Sequence, residues 1–476
     1  MKDLSRLIHA VTEEESESVI RYYSLNNNGA SKRLKLFNMV RWKDINDDRM
    51  AAKKLYNSGP GAAFSQLKKR LKEDILNILL SREACPGKSP KNFVDAEALA
   101  LKYVLYGKML LNRGLTEEAV DVLKKAFKLA RDHEAFEVQA LAHSVFKTYS
   151  LNHLSSELAD AEEDFASHVD DFYQLMRLNL NLAAQKNSHR PQIATNGHAS
   201  ASGKKSRKHH ASIRLQLVTF SNELEKHLQA KDYGNTQDIA QALLLQVQEN
   251  GHLLSSSQKA SIYLNIARAH IGLEQLKEAI SYSLQSSALY KPFEEKKLES
   301  FLTTFKSYFY GGQLAQAGQE LKNCESMEKS LGREKSELPL FKAYLLFRER
   351  NFKASVKLLN VFFRRSKPRM DVVMNGRLLE LQNLIEMEDY DWFDYKLDSF
   401  RKVVKYHASE PYSERFVLIY KLFAELKRLG YNRDALLENG KNEWLQQLSC
   451  KKSPCSWDPL GTELVPVHRW VTDKGQ

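Results

Sequence analysis

A 38-residue period constrains what this chain can fold into more than any other feature. The turn segments GLEQLKEA, GGQLAQAG, ERNFKASV and MEDYDWFD align so that Leu276, Leu314, Phe352 and Tyr390 are each 38 apart. The same interval relates Leu264, Leu302, Leu340 and Leu378, and then Ser283, Leu321, Leu359 and Leu397. Four leucines out of four in one column would be a rare accident where leucine is about a tenth of residues. Each unit holds two amphipathic runs separated by a short turn, so the unit is a helical hairpin. A lone hairpin leaves one apolar face wet, and stacking neighbours buries it. The columned leucines should therefore be buried in equivalent places.

Composition agrees with helices and argues against turn-rich folds. Glycine is 20 and proline 11 of 476 residues, about 4% and 2% against averages of roughly 7% and 5%. Hydrophobic residues at 43% and charged residues at 27% are ordinary for a globular protein. No run of eighteen apolar residues is present, so no membrane span is expected. The N-terminus, MKDLSRLIHAVTEEE, has no sustained apolar stretch and does not read as a secretory signal. Four scattered cysteines, Cys85, Cys324, Cys450 and Cys455, are too few for a disulfide framework. The expectation is a cytoplasmic protein with reduced thiols.

An earlier unit lies at ALKYVLYGKMLLNRGLTEEAVDVLKKAFKLA, with small residues Gly107 and Ala119 twelve apart, Gly114 before the turn and Ala126 beyond it. The later units place Ala267 and Ala279, then Ala343 and Ser355, in the same relation. At these residues the chain resembles the tetratricopeptide repeat (TPR) family, over about half its length. It departs from the family at Phe305, Leu381, Phe393 and Phe400, which are bulky where the family is small, and its period is longer than the usual 34. The resemblance implies an all-α, TPR-like α-solenoid of stacked antiparallel helix pairs. It further implies that the first helix of each pair faces a groove, where Arg268, Lys306, Tyr310, Tyr344 and Arg348 are the candidate partner-binding residues. Cationic and aromatic side chains there suit an extended or acidic peptide.

Five regions follow along the chain: a basic N-terminal helical domain over 1–82, helical hairpins over 83–185, a linker over 186–212, the repeats over 213–440 and a C-terminal cap over 441–476. Residues 186–212 carry one large aliphatic side chain, Ile193, and six basic residues without an acid, which predicts disorder. The flanking stripes, Leu158, Phe165, Val169, Phe172 and Met176 before it and Ile213, Leu217, Phe220, Leu224 and Leu228 after it, should pack on each other. In the tail, Pro459 and Pro466 exclude a continuous helix, while Trp457, Leu460, Leu464, Val467 and Trp470 are too apolar to stay in water. The tail should fold back and cover an apolar face.

No catalytic constellation, phosphate loop or metal-ligand spacing is present, so no catalytic residue, cofactor or metal is assigned. The net charge of +12 is concentrated in two places, the linker and residues 1–82, which hold 16 Lys/Arg against 10 Asp/Glu. Within 47–80 a short helix, a Gly/Pro turn and a second helix look like a helix-turn-helix, with Ser65, Lys68, Lys69 and Lys72 outward. The leading expectation is a non-enzymatic adaptor or scaffold that binds a partner protein or peptide. The alternative is a nucleic-acid-binding regulator that uses the N-terminal segment, with the repeats as its sensor.

Overall fold

The computed structural model describes residues 1–27, 31–43, 45, 47–83, 90, 92–149, 171–178, 212–290, 295–331, 337–365, 369–407, 413–438, 442–450 and 453–473. All of the expected disordered linker except Ser212 lies outside the described residues, as do Leu158, Phe165 and Val169. Every regular element among the described residues is a helix, and none of them is a strand. From Phe93–Leu111 to Phe136–Thr148 and from Leu276–Leu289 to Ser413–Arg428 the helices pack on their sequence neighbours, as a helical repeat requires. The chain divides into two compact units, Met1–Phe220 with Leu244–Gln258, and Ser221–Leu243 with Lys259–Gln476.

The first unit opens with helices Lys2–Ala10, Glu13–Asn27, Lys32–Lys43, Asp48–Tyr56 and Ala62–Glu83. The second of these starts with a capping box: the Thr12 N–H donates to Glu15 at 2.6 Å and the Glu15 N–H donates to the Thr12 hydroxyl at 3.3 Å. Lys32–Lys43 is central and packs on the first, fourth and fifth helices, burying Leu36, Phe37 and Val40. Helices Phe93–Leu111, Thr116–Asp132 and Phe136–Thr148 follow. The first two approach so closely that a Cβ on Gly107 would stand 2.5 Å from Leu123, which is why that position is glycine. Helical residues 171–178 pack on the start of Ile213–Gln229 through Leu175, Phe172, Leu215 and Val218, with Phe136 beneath. Of the expected stripe, Met176 is exposed and Leu175 takes the inward place, a shift of one residue. Glu134 fixes this entry: its carboxylate accepts the Ser212 hydroxyl at 2.6 Å, the Ile213 N–H at 3.1 Å and the Arg214 N–H at 2.8 Å. Those donors would otherwise be orphaned at a helix start.

In the second unit, which Ser256–Gly272 enters at Lys259, first helices Ser256–Gly272, Glu295–Tyr310, Leu338–Arg348, Met370–Glu386 and Ser413–Arg428 alternate with second helices Leu276–Leu289, Leu314–Leu331, Phe352–Arg365, Tyr390–Tyr406 and Arg433–Glu438. Leu276, Leu314, Phe352 and Tyr390 are the opening residues of second helices, so the sequence period is a turn period. Two residues before each sits a left-handed residue: Glu274, Gly312, Arg350 and Glu388, with φ of 63°, 72°, 60° and 57°. The next amide in each case reaches back five residues, as Gln275 N–H to His270 C=O at 2.9 Å and Asn351 N–H to Leu346 C=O at 2.8 Å. This bond closes a helix end that would otherwise leave bare carbonyls.

Leu264, Leu340 and Leu378 are buried, but Leu302 is only half-buried. It packs against the core on one side and lines an open cavity beside Lys306 on the other, so this member of the column sits at the core's edge. Ala267, Ala279, Ala317 and Ala343 are sealed at helix contacts, and the Ser355 hydroxyl donates to the Ala343 carbonyl at 2.8 Å. Phe305, Leu381, Phe393 and Phe400 are buried as well and supply core volume where small residues would have allowed closer approach.

Candidate functional site

The period carries the candidate residues with it. Arg268, Lys306 and Tyr344 are 38 apart, and one more step reaches Gln382; Tyr310 and Arg348 lead in the same way to Glu386. All lie on first helices. The face they form is occupied by the chain's own C-terminal segment, whose described residues run from Ser453 to Asp473.

Prolines 459 and 466 keep the segment out of helix until Val467–Thr472, and its main-chain carbonyls are therefore free to accept bonds. Lys306 donates to the carbonyls of Leu460, at 2.5 Å, and Gly461, at 2.8 Å. The Tyr310 hydroxyl donates to Pro459 C=O at 2.8 Å, and the Gln382 amide donates to Val465 C=O at 3.1 Å. Arg433 donates to Trp470 C=O at 3.2 Å. Asn375 donates to the Thr462 hydroxyl at 2.8 Å, and Trp470 donates its indole N–H to Glu386 at 2.7 Å.

Two carboxylates on the segment are held by side chains. Asp458 accepts the Tyr233 hydroxyl at 2.9 Å and lies 3.6 Å from the Lys231 ammonium. Glu463 meets Arg415 through two bonds of 2.9 Å, and both residues are buried. A planar guanidinium fork on a carboxylate fixes direction as well as charge. The same Arg415 donates to Cys455 C=O. Apolar anchors Leu464, Val465, Val467, Trp470 and Val471 join the core of the unit. The tail therefore runs back along the first helices, rather than closing only the last hairpin, because its acids and carbonyls find donors spread over several units.

Burial tunes these groups. It pushes the Lys306 ammonium down to about 8, against the opposing pull of Asp458. Burial also raises the Tyr310 and Tyr344 hydroxyls well above their ordinary value, so both remain donors. Tyr344 is fully buried, donates to Asn375 C=O at 3.3 Å and meets the backbone of Leu464, which makes it a strut beneath the segment. His468 is 8% exposed and its Nδ1 has no partner. Burial first, then Arg415 and Arg469, lowers it to about 4.

Two of the open cavities along the segment adjoin the candidate residues. One of about 290 Å³ is lined by Asn265, Arg268, Glu299, Leu302, Lys306 and Leu460. The other, of about 390 Å³, is lined by Phe309, Tyr310, Arg348, Trp457, Pro459 and Arg469, among others. Arg268 pairs with Glu299 at 3.0 Å, and Arg348 is exposed beside Phe309. The five candidates thus divide: Lys306 and Tyr310 grip the segment, Tyr344 supports the face, and Arg268 and Arg348 stand at the open spaces. Reading the columns one unit further would have found Gln382 and Glu386. Tyr233, Lys231 and Arg415 lie off those columns and had no signal in the period.

The N-terminal lysines are arranged differently. Ser65, Lys69 and Lys72 are exposed on one side of Ala62–Glu83. Lys68 is half-buried and bonded to Asp48 at 2.8 Å, and Asp48 also pairs with the N-terminal amine at 3.3 Å. The turn between the two helices runs through Asn57, left-handed at φ 53°, to Gly61. No group of three or more His, Cys, Asp or Glu suited to a metal occurs among the described residues. No helix among them is long and apolar enough to cross a membrane. Comparison with known protein families, characterised proteins and solved structures finds no match.

Proposed function

We propose that the protein is a non-enzymatic helical-repeat scaffold that binds an extended, acidic segment of a partner protein along its first helices. One observation carries this reading: the face already holds an extended segment of the chain itself by carbonyl-directed bonds from Lys306, Tyr310 and Gln382. Bonds to main-chain carbonyls tolerate many sequences, while side-chain pockets add selectivity. The tetratricopeptide-like pattern at Gly107, Ala119, Ala267, Ala279, Ala343 and Ser355 supports the same placement of the groove.

A photo-crosslinking amino acid at position 348, on this face, and another at 406, on a second helix, test the reading inside cells. The expected result is a polypeptide adduct at 348 and none at 406. A folded protein with no adduct at 348, or with equal adducts at both, would overturn it. The N-terminal lysine face enters this reading only as a basic surface, because Lys68, its central member, is held by Asp48.

A further inference from the structure

The seated segment meets its groove through two kinds of recognition. The carbonyls of Cys455, Pro459, Leu460, Gly461, Val465 and Trp470 accept donors from the face, a contact that any extended peptide could make. Asp458 and Glu463, five residues apart, instead meet dedicated cationic or hydroxyl partners. The helix pairs between Glu295 and Tyr406 pack directly on one another, whereas Arg433–Glu438 and Asn442–Ser449 also pack on the segment's own helix, Val467–Thr472. The cavities beside Leu460 and Pro459 leave room on the face while the segment is in place, next to Arg268 and Arg348.

From this we infer that residues 455–471 are a ligand held in cis. The same face is a receptor for a partner segment of matching chemistry: an extended peptide with two carboxylates five residues apart, followed by apolar and aromatic anchors. The incoming segment starts at the open cavities and displaces the resident one. A tethered segment has an effective concentration of order mM, so the free chain is closed to weak competitors and opens only to a better ligand. This inference rests on the scaffold reading and adds to it the chemistry of the partner and the gate.

The test uses the full chain and a fluorescent synthetic peptide of residues 453–473, with binding followed by anisotropy. The proteins are the wild type and a full-length variant whose own tail is weakened by Asp458→Asn with Glu463→Gln. The weakened variant should bind the peptide at least tenfold more tightly than the wild type. A peptide carrying the same two substitutions should bind that variant at least tenfold less tightly than the native peptide. Equal affinities in either comparison, or no binding at all, overturn the inference. If the variant fails to fold, hydrogen exchange on the wild type decides: excess native peptide should accelerate exchange at residues 458–465, and unchanged protection refutes displacement. An adduct at position 348 together with failed displacement would sink the gate and leave the scaffold standing, whereas loss of both would remove the scaffold too.

Discussion

Arg415 and Glu463 show how much one residue pair can carry. Each is buried, and the desolvation cost is offset only because the geometry is bidentate and Arg415 has a further carbonyl partner. Glu463→Ala would leave a buried guanidinium without a counter-charge and should cost about 3–5 kcal/mol in chemical denaturation. Glu388 presents the opposite case, a side chain held at φ 57° where an L-residue is strained. Glu388→Gly should raise stability by about 1 kcal/mol, measured as a higher denaturation midpoint at unchanged slope. His468 ties stability to pH. The unfolded imidazole takes a proton near 6.5, and the folded one refuses it until about 4. The unfolded chain then binds more protons in that window, so this contribution is complete above about 6.5 and is lost as pH falls towards 4. The melting temperature should drop between pH 7 and pH 4.5, and His468→Gln should flatten that slope.

The individual helices were legible in the sequence because their apolar residues recur at helical spacing and their turns recur at 38. The left-handed turn residues were legible only where glycine marks them, at Gly114 and Gly312; Glu274, Arg350 and Glu388 adopt the same conformation because the helices on either side impose it. Equal columns do not mean equal burial. Leu340 is fully buried while Leu302 borders a cavity. Leu340→Ala should therefore cost about 2–5 kcal/mol from lost transfer energy and a new void, and Leu302→Ala clearly less, because its neighbourhood is already partly open. Parallel denaturation curves of the two variants check this, and equal losses would mean that the column is uniform after all.

Charge organises the molecule more coarsely. The N-terminal surplus lies partly in pairs such as Lys68 with Asp48 and Arg33 with Asp74, the latter at 2.6 Å, which reduces what is free to meet phosphate. DNA binding should be non-specific and weak, about 10⁻⁴–10⁻⁶ M near physiological salt, and should fall steeply as salt rises. Replacing Lys68, Lys69 and Lys72 with glutamate should reduce it further and leave crosslinking at position 348 unchanged. Gel-shift titrations over a salt series measure the first, and a sequence-specific complex tighter than about 10⁻⁸ M would contradict the scaffold reading.

Local pattern determined the helices, their hairpin turns and the place of the small contact residues, because periodicity and helix-end chemistry depend on residues a few positions apart. The resemblance to tetratricopeptide repeats, rather than local pattern alone, pointed to Lys306, Tyr310, Tyr344, Arg268 and Arg348 as residues of one face. Only the tertiary structure decided what that face touches. Tyr233 meets Asp458 and Arg415 meets Glu463 across 225 and 48 residues of chain. Such partners are chosen by burial of apolar anchors like Trp470 and Val467, which dock the tail first in the energetic sense and bring its acids and carbonyls to the nearest donors. Hydrophobic burial has no direction of its own, so the sequence could require that the tail be covered without saying by which surface.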